Sequence, residues 1–137
     1  MILKQTFLLV ISIVCMSSSC EKAPLGAKEV SRFWIQNNSN NGVSFLISES
    51  FPDTIVPNKE GSLLMLELGN RRPYDQNREW EDFFAQLPAD TLSVFFFDND
   101  TLAKYDFSQV RIDYNILKRK DISLQDLNSN SYTVTYP

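Results

Sequence analysis

The segment TLSVFFF, residues 91–97, decides the fold. Three successive phenylalanines after a valine leave neither side of a pleated strand polar, because side chains alternate between faces. Such a strand belongs at the centre of a sheet, with bulky apolar neighbours on both sides. Just upstream, Trp80, Phe83, Phe84 and Leu87 recur at i, i+3, i+4 and i+7, the spacing of one helix face. Glu79, Glu81 and Asp82 complement the positive end of that predicted helix, residues 80–87, and Pro88 stops it.

Further out, residues 30–36 carry Phe33, Trp34 and Ile35, and residues 43–47 alternate Val43, Phe45 and Ile47. The intervening NNSNNG reads as the loop of a β-hairpin. Residues 62–68 form a third predicted strand bracketed by Gly61 and Gly69, and residues 69–79 read as a polar connection. After the central strand, Ser108 is placed to cap a helix running to Leu117, with Val110, Tyr114 and Leu117 on one stripe and Phe107 and Ile112 at staple spacing. A shorter helix follows Ser123, where Asp126 completes a capping box and Ile122 and Leu127 repeat the staple; Tyr132, Val134 and Tyr136 then alternate in a terminal strand. The order β-β-β-α-β-α-α-β predicts an α+β domain, a mixed or antiparallel sheet packed against two or three short helices. Its expected core is Phe33, Ile35, Phe45, Leu66, Trp80, Phe84, Leu92, Phe96, Leu117 and Val134.

The chain has 137 residues, enough for one ordinary domain, placed at residues 30–137. No histidine is present, which removes imidazole bases and imidazole metal ligands from consideration. The formal charge of −4 disfavours nucleic acid as a partner. Ahead of the domain, Lys4 precedes an apolar run over residues 7–16 that ends in Ser17, Ser18, Ser19 and Cys20. The run has about half the roughly twenty residues a membrane-spanning helix needs, so residues 1–19 read as an export leader. Small residues directly before a single cysteine resemble the bacterial lipoprotein processing site, with Cys20 as the lipid-bearing first residue of the mature chain. Cys15 leaves with the leader, so the remaining thiol has no disulfide partner, and acyl chains such as palmitate account for it. Residues 20–29 then serve as a tether containing Pro24 and Gly26.

Candidate chemistry is sparse. Asp98, Asp100 and Asp106 follow the central strand, but the glycine and terminal glutamate of a calcium loop are missing, and a solvated turn is the simpler reading. No nucleophile elbow or phosphate-cradling glycine loop occurs, so no catalytic residue, metal or cofactor is expected and the protein is not read as an enzyme. The best ligand-binding candidate is Arg71, Arg72, Tyr74, Arg78 and Trp80, where arginine forks and aromatic rings lie together in the sequence.

The second half of the chain, and LPADTLSVFFF, YNILKR at residues 114–119 and the closing TVTYP in particular, resembles a group of small, uncharacterised lipoproteins of Bacteroides and related bacteria. The resemblance implies export and an envelope location, with the outer membrane expected and both periplasm-facing and surface-displayed attachment open. It brings no activity. It also implies O-glycosylation at Asp-Thr-aliphatic triplets, which places candidates at Thr54, Thr91 and Thr101. The Asn37 and Asn99 sequons require an N-linked machinery that such a source lacks. The expected partners are membrane lipid through Cys20 and an envelope protein or a glycan; the oligomeric state is open. The leading expectation is a non-catalytic envelope protein acting through surface contacts as an accessory to a larger envelope complex, with small-molecule or glycan binding as the alternative.

Overall fold

The computed structural model describes residues 30–137. The leader, Cys20 and the tether lie outside the described residues. The class is α+β: seven strands in two sheets, with four short α-helices among the described residues. One sheet is ordered β4-β1-β7, from β1 (Ser31–Asn37), β4 (Arg71–Gln76) and β7 (Thr133–Tyr136). The other is ordered β3-β2-β5-β6, from β2 (Val43–Ser48), β3 (Leu64–Leu66), β5 (Thr91–Asp98) and β6 (Lys118–Ser123). All pairings are antiparallel except β1 with β7. The helices are α1 (Trp80–Phe84), α2 (Asn99–Lys104), α3 (Phe107–Ile112) and α4 (Leu124–Ser129). None of the described helices is long and apolar enough to cross a membrane.

Strand β5 is buried on both faces, as its composition demands. Leu92, Val94 and Phe96 enter a core between the two sheets, where they meet Phe33, Ile35 and Val134 from the first sheet and Phe45, Leu66 and Ile122 from their own. Phe95 and Phe97 enter a second core with Leu46, covered by Val56, Phe107 and Val110. Trp80, Phe83, Phe84 and Leu87 close one end of the first core, so the helical spacing is realised even though α1 proper ends at Phe84.

The β1–β2 hairpin does not form. β1 pairs with β4 and β7, whereas β2 pairs with β3 and β5, so the loop after β1 crosses from one sheet to the other. Asn37 makes the crossing. Its wholly buried side chain donates to the carbonyls of Asn41 (2.7 Å) and Leu66 (3.2 Å) and accepts from the Ser39 amide (2.9 Å) and hydroxyl (2.7 Å). Its backbone is bonded to Asn70 and Gly69 in the β3–β4 turn, where Gly69 takes the left-handed conformation (φ 71°).

Two strands lie where the sequence indicates none. β4 falls inside the expected polar connection, and β6 (KRKDIS) follows the third helix. Both are edge strands, where charged side chains and a proline such as Pro73 are tolerated and guard against further pairing. β3 is also shorter than expected at both ends, where residues 60–62 form a 3-10 turn and residues 68–69 the turn toward β4. The helix expected to reach Leu117 stops at Ile112, because Tyr114 turns into the left-handed region (φ 52°). Leu117 is therefore 46% exposed, contrary to its place in the expected core, and its amide bonds to Phe96 at the start of β6. Ile112 is 71% exposed, so it makes no staple with Phe107. The Ser123–Asp126 capping box is present.

If both cores carry the fold, Phe95→Ala and Phe96→Ala should each cost about 3–5 kcal/mol in urea unfolding. Leu117→Ala should stay within about 0.5 kcal/mol of the parent.

Candidate functional site

The residues grouped by sequence as a binding site are dispersed. Arg71 and Arg72 are consecutive on β4 and so point to opposite faces. On the outer face of the first sheet, the Arg71 guanidinium carbon lies 4.2 Å from the Trp34 ring centroid, and that of Arg32 lies 5.6 Å away. Arg32 forks onto Asp75 at 2.6 and 2.8 Å, which holds the Asp75 carboxyl below its usual range; the pair is solvent-exposed and contributes little to stability. Tyr74 turns inward against Phe33, with centroids 5.1 Å apart. Its hydroxyl donates to Glu49 (3.2 Å) and accepts from Gln76 (2.7 Å). Burial, followed by the charge of Glu49, pushes the Tyr74 hydroxyl up to about 12. Arg78 lies 5.9 Å from the Phe83 ring. Trp80 is 5% exposed and packed against Phe33, Phe83 and Phe84, so it offers no face to a ligand. Of the five, Tyr74 lines a groove of about 280 Å³, with Phe45, Ile47, Glu49, Lys59 and Leu64.

Among the aspartates after the central strand, Asp98 serves the backbone. Asp98 caps α2, accepting from the amide (2.9 Å) and hydroxyl (2.8 Å) of Thr101, and Asp106 occupies the N-cap position of α3. Among the described residues no cluster of three or more acidic, histidine or cysteine side chains could hold a metal ion. The glycosylation candidates also separate. The Thr101 hydroxyl is engaged by Asp98, and that of Thr91 donates to the Ala89 carbonyl (2.7 Å). Thr54 is exposed in a turn held by the Ile55 amide on Asp53 (2.9 Å), and its hydroxyl has no partner among the described residues. Asn37 is sealed in the sheet crossing, and Asn99 accepts from the Ser44 hydroxyl (2.8 Å).

A site the sequence reading missed lies where the loop over residues 51–57 crosses the second core. Two arginines hold this loop. Arg119 donates to the Asp53 carbonyl (3.1 Å), to Asp121 (2.7 Å) and to the Ser93 hydroxyl (3.2 Å), and its guanidinium lies 5.7 Å from the Phe51 ring and 5.3 Å from that of Phe95. Arg111 is matched far less well. Its single protein acceptor among the described residues is the Val56 carbonyl at 3.4 Å, and its Nε is sealed from solvent with no partner. Around Arg111, a concavity of about 440 Å³ is lined by Thr54, Ile55, Ile112 and Tyr114. Ile55 is 62% exposed, Ile112 71% and Tyr114 43%.

Tyr114 is held there by a helix-ending motif. The Asn115 amide bonds to the Val110 carbonyl (2.9 Å) and the Tyr114 amide to that of Arg111 (3.3 Å), a Schellman pattern with tyrosine at the position glycine normally fills. A side chain in the left-handed region costs roughly 1–2 kcal/mol. Tyr132 adopts the same conformation (φ 55°), but its ring packs on the main core. The Tyr114 ring has no such return: it faces the concavity and reaches toward Arg119. One sequence signal was available. Within a helix Ile112 lies about 200° around from Val110, on the side opposite the buried stripe.

No protein-family model, curated protein or solved structure matches this chain. Tyr114→Gly should leave the protein as stable as the parent or more stable, by up to about 1 kcal/mol in urea unfolding, whereas Tyr132→Gly should lose stability. Tyr74 makes a separate prediction. Because its folded-state pKa is raised, the stability gained from keeping it neutral is complete below its ordinary value near 10 and lost as pH climbs through about 12. Tyr74→Phe should remove that part of the alkaline loss, read as urea midpoints across this range.

Proposed function

We propose that the protein is an exported, lipid-anchored, non-catalytic component of the cell envelope at the outer membrane, acting through surface contacts as an accessory to an envelope complex. Acyl chains on Cys20 hold it to the lipid, and the surrounding leader and tether are the sequence support for this part of the reading. An extended chain spans at most about 3.6 Å per residue, so ten residues of tether let the folded body stand up to roughly 35 Å from its anchor. The observation that carries the contact role is the concavity of Ile55, Arg111, Ile112 and Tyr114. Large exposed apolar side chains beside an arginine have the composition of an interface centre. Thr54, on the rim of the same concavity, is the favoured acceptor if the Asp-Thr triplets carry glycans.

A second reading, small-molecule or glycan binding near Arg71, Arg72, Tyr74 and Trp80, is favoured by one arrangement. Trp34 lies flanked by Arg71 and Arg32 on the outer sheet face, an aromatic and cationic surface on which a sugar ring with a carboxylate can rest. In this version Trp34 takes the stacking part that Trp80, inside the core, cannot.

Mild crosslinking of the native membrane fraction tests the leading reading. A reproducible protein adduct should form with the parent and be lost in Ile112→Asp, which alters an exposed side chain and should leave thermal stability unchanged. Repeated recovery of no adduct, or an adduct indifferent to Ile112→Asp, would contradict the reading.

A further inference from the structure

We propose that Arg111 receives an acidic side chain from an extended segment of a partner protein, with a neighbouring apolar side chain of that segment laid against Ile55, Ile112 and Tyr114. The inference rests on reading this concavity as a contact surface and adds the chemistry of what it contacts. A guanidinium carries five N–H donors, and that of Arg111 has one protein acceptor, at 3.4 Å. Acids of the neighbouring segments have other partners: Asp113 accepts from Gln109 (2.6 Å), Asp121 from Arg119 (2.7 Å) and Ser93 (2.6 Å), and Asp53 from the Ile55 amide (2.9 Å). Among the described residues none forms an ion pair with Arg111. The terminal N–H groups of Arg111 are therefore held by nothing stronger among these residues than the Val56 carbonyl, and a carboxylate matches a guanidinium fork best.

The setting narrows the occupant. Arg111 has no ion pair among the described residues, and exposed Asp53 and Asp113 adjoin the lining residues Thr54, Ile112 and Tyr114, in a chain of net charge −4. Such a place suits a single carboxylate and repels a polyanion or an anionic lipid face. Ile55 and Ile112 flank it with apolar surface that an inorganic anion would leave exposed. The concavity is open, which suits an extended peptide laid across it. Tyr114 points the same way: its ring lines the concavity with Arg111 in a backbone conformation that glycine would adopt without strain, and it belongs to neither core, its hydroxyl turning to Arg119.

The test uses the full-length protein, extracted in mild detergent and labelled with nitrogen-15, and three blocked pentapeptides: acetyl-Gly-Leu-Glu-Leu-Gly-amide and its Gln and Lys counterparts. The readout is the set of backbone amide signals of Ile55 and of residues 112–115, with the Nε–H of Arg111. The Glu peptide should shift these signals saturably, and the Gln and Lys peptides should bind about tenfold more weakly or worse. Arg111→Gln should erase the preference for Glu over Gln. Tyr114→Gly should weaken all binding with no fall in the urea midpoint, which separates loss of the site from loss of the fold. Equal binding of the three peptides, a preference that survives Arg111→Gln, or no response to peptides would overturn the proposal. Binding of phosphatidylglycerol vesicles at these signals in place of peptide would overturn it in favour of a lipid contact. If the Ile112-dependent crosslink persists while the peptides are not discriminated, the contact surface stands and the acidic partner falls.

Discussion

Strand β5 sets the terms for everything around it. Leu92, Val94 and Phe96 on one face and Phe95 and Phe97 on the other must all leave water, and a sheet with one wet face cannot do that. The first sheet covers one side of β5; the loop over residues 51–57 and helix α3 cover the other. Each buried phenylalanine side chain is worth roughly 1.5–3 kcal/mol relative to exposure, so leaving either face open would remove a large part of a small domain's stability. The surface loop and the two arginines that hold it therefore follow from three phenylalanines in a row.

The two-sheet arrangement needs a crossing, and Asn37 supplies it with four hydrogen bonds from a wholly buried side chain. A buried amide is costly unless satisfied, and here donors and acceptor all find partners. Those partners belong to the β1–β2 loop and to the end of β3, so one side chain fixes where the chain leaves the first sheet and how the β3–β4 turn returns to it.

Legibility in the sequence followed burial. β5, α1 and the Ser123 capping box were readable because their signals are local: an unbroken apolar run, an i, i+3, i+4, i+7 spacing, and a serine three residues before an aspartate. β4 and β6 were not, because edge strands are selected to look unlike strands, and RRPYDQ and KRKDIS carry the charges and proline that do this. The hairpin reading of residues 30–47 failed because alternation identifies a strand and not its partner. The concavity around Arg111 was hidden for a different reason. Tyr114 completes a helical stripe on paper, and only its left-handed backbone takes it off the helix and places it beside Ile55, some sixty residues away in the chain. The opposite holds for the candidate at Arg71, Arg72, Tyr74 and Trp80: neighbours in sequence, they divide between two faces of an edge strand and the core.

A surface that displays Ile55, Ile112 and Tyr114 beside an unmatched arginine is a hazard for a freely diffusing protein and an asset for one held near its partner. Tethering raises the effective concentration of a weak contact without any added affinity. The account therefore depends on Cys20. Intact-mass analysis of the protein recovered from the membrane fraction tests this most directly. The account predicts a species that begins at Cys20 and carries acyl chains on its thiol; an unmodified thiol, or a species retaining residues 1–19, would contradict it.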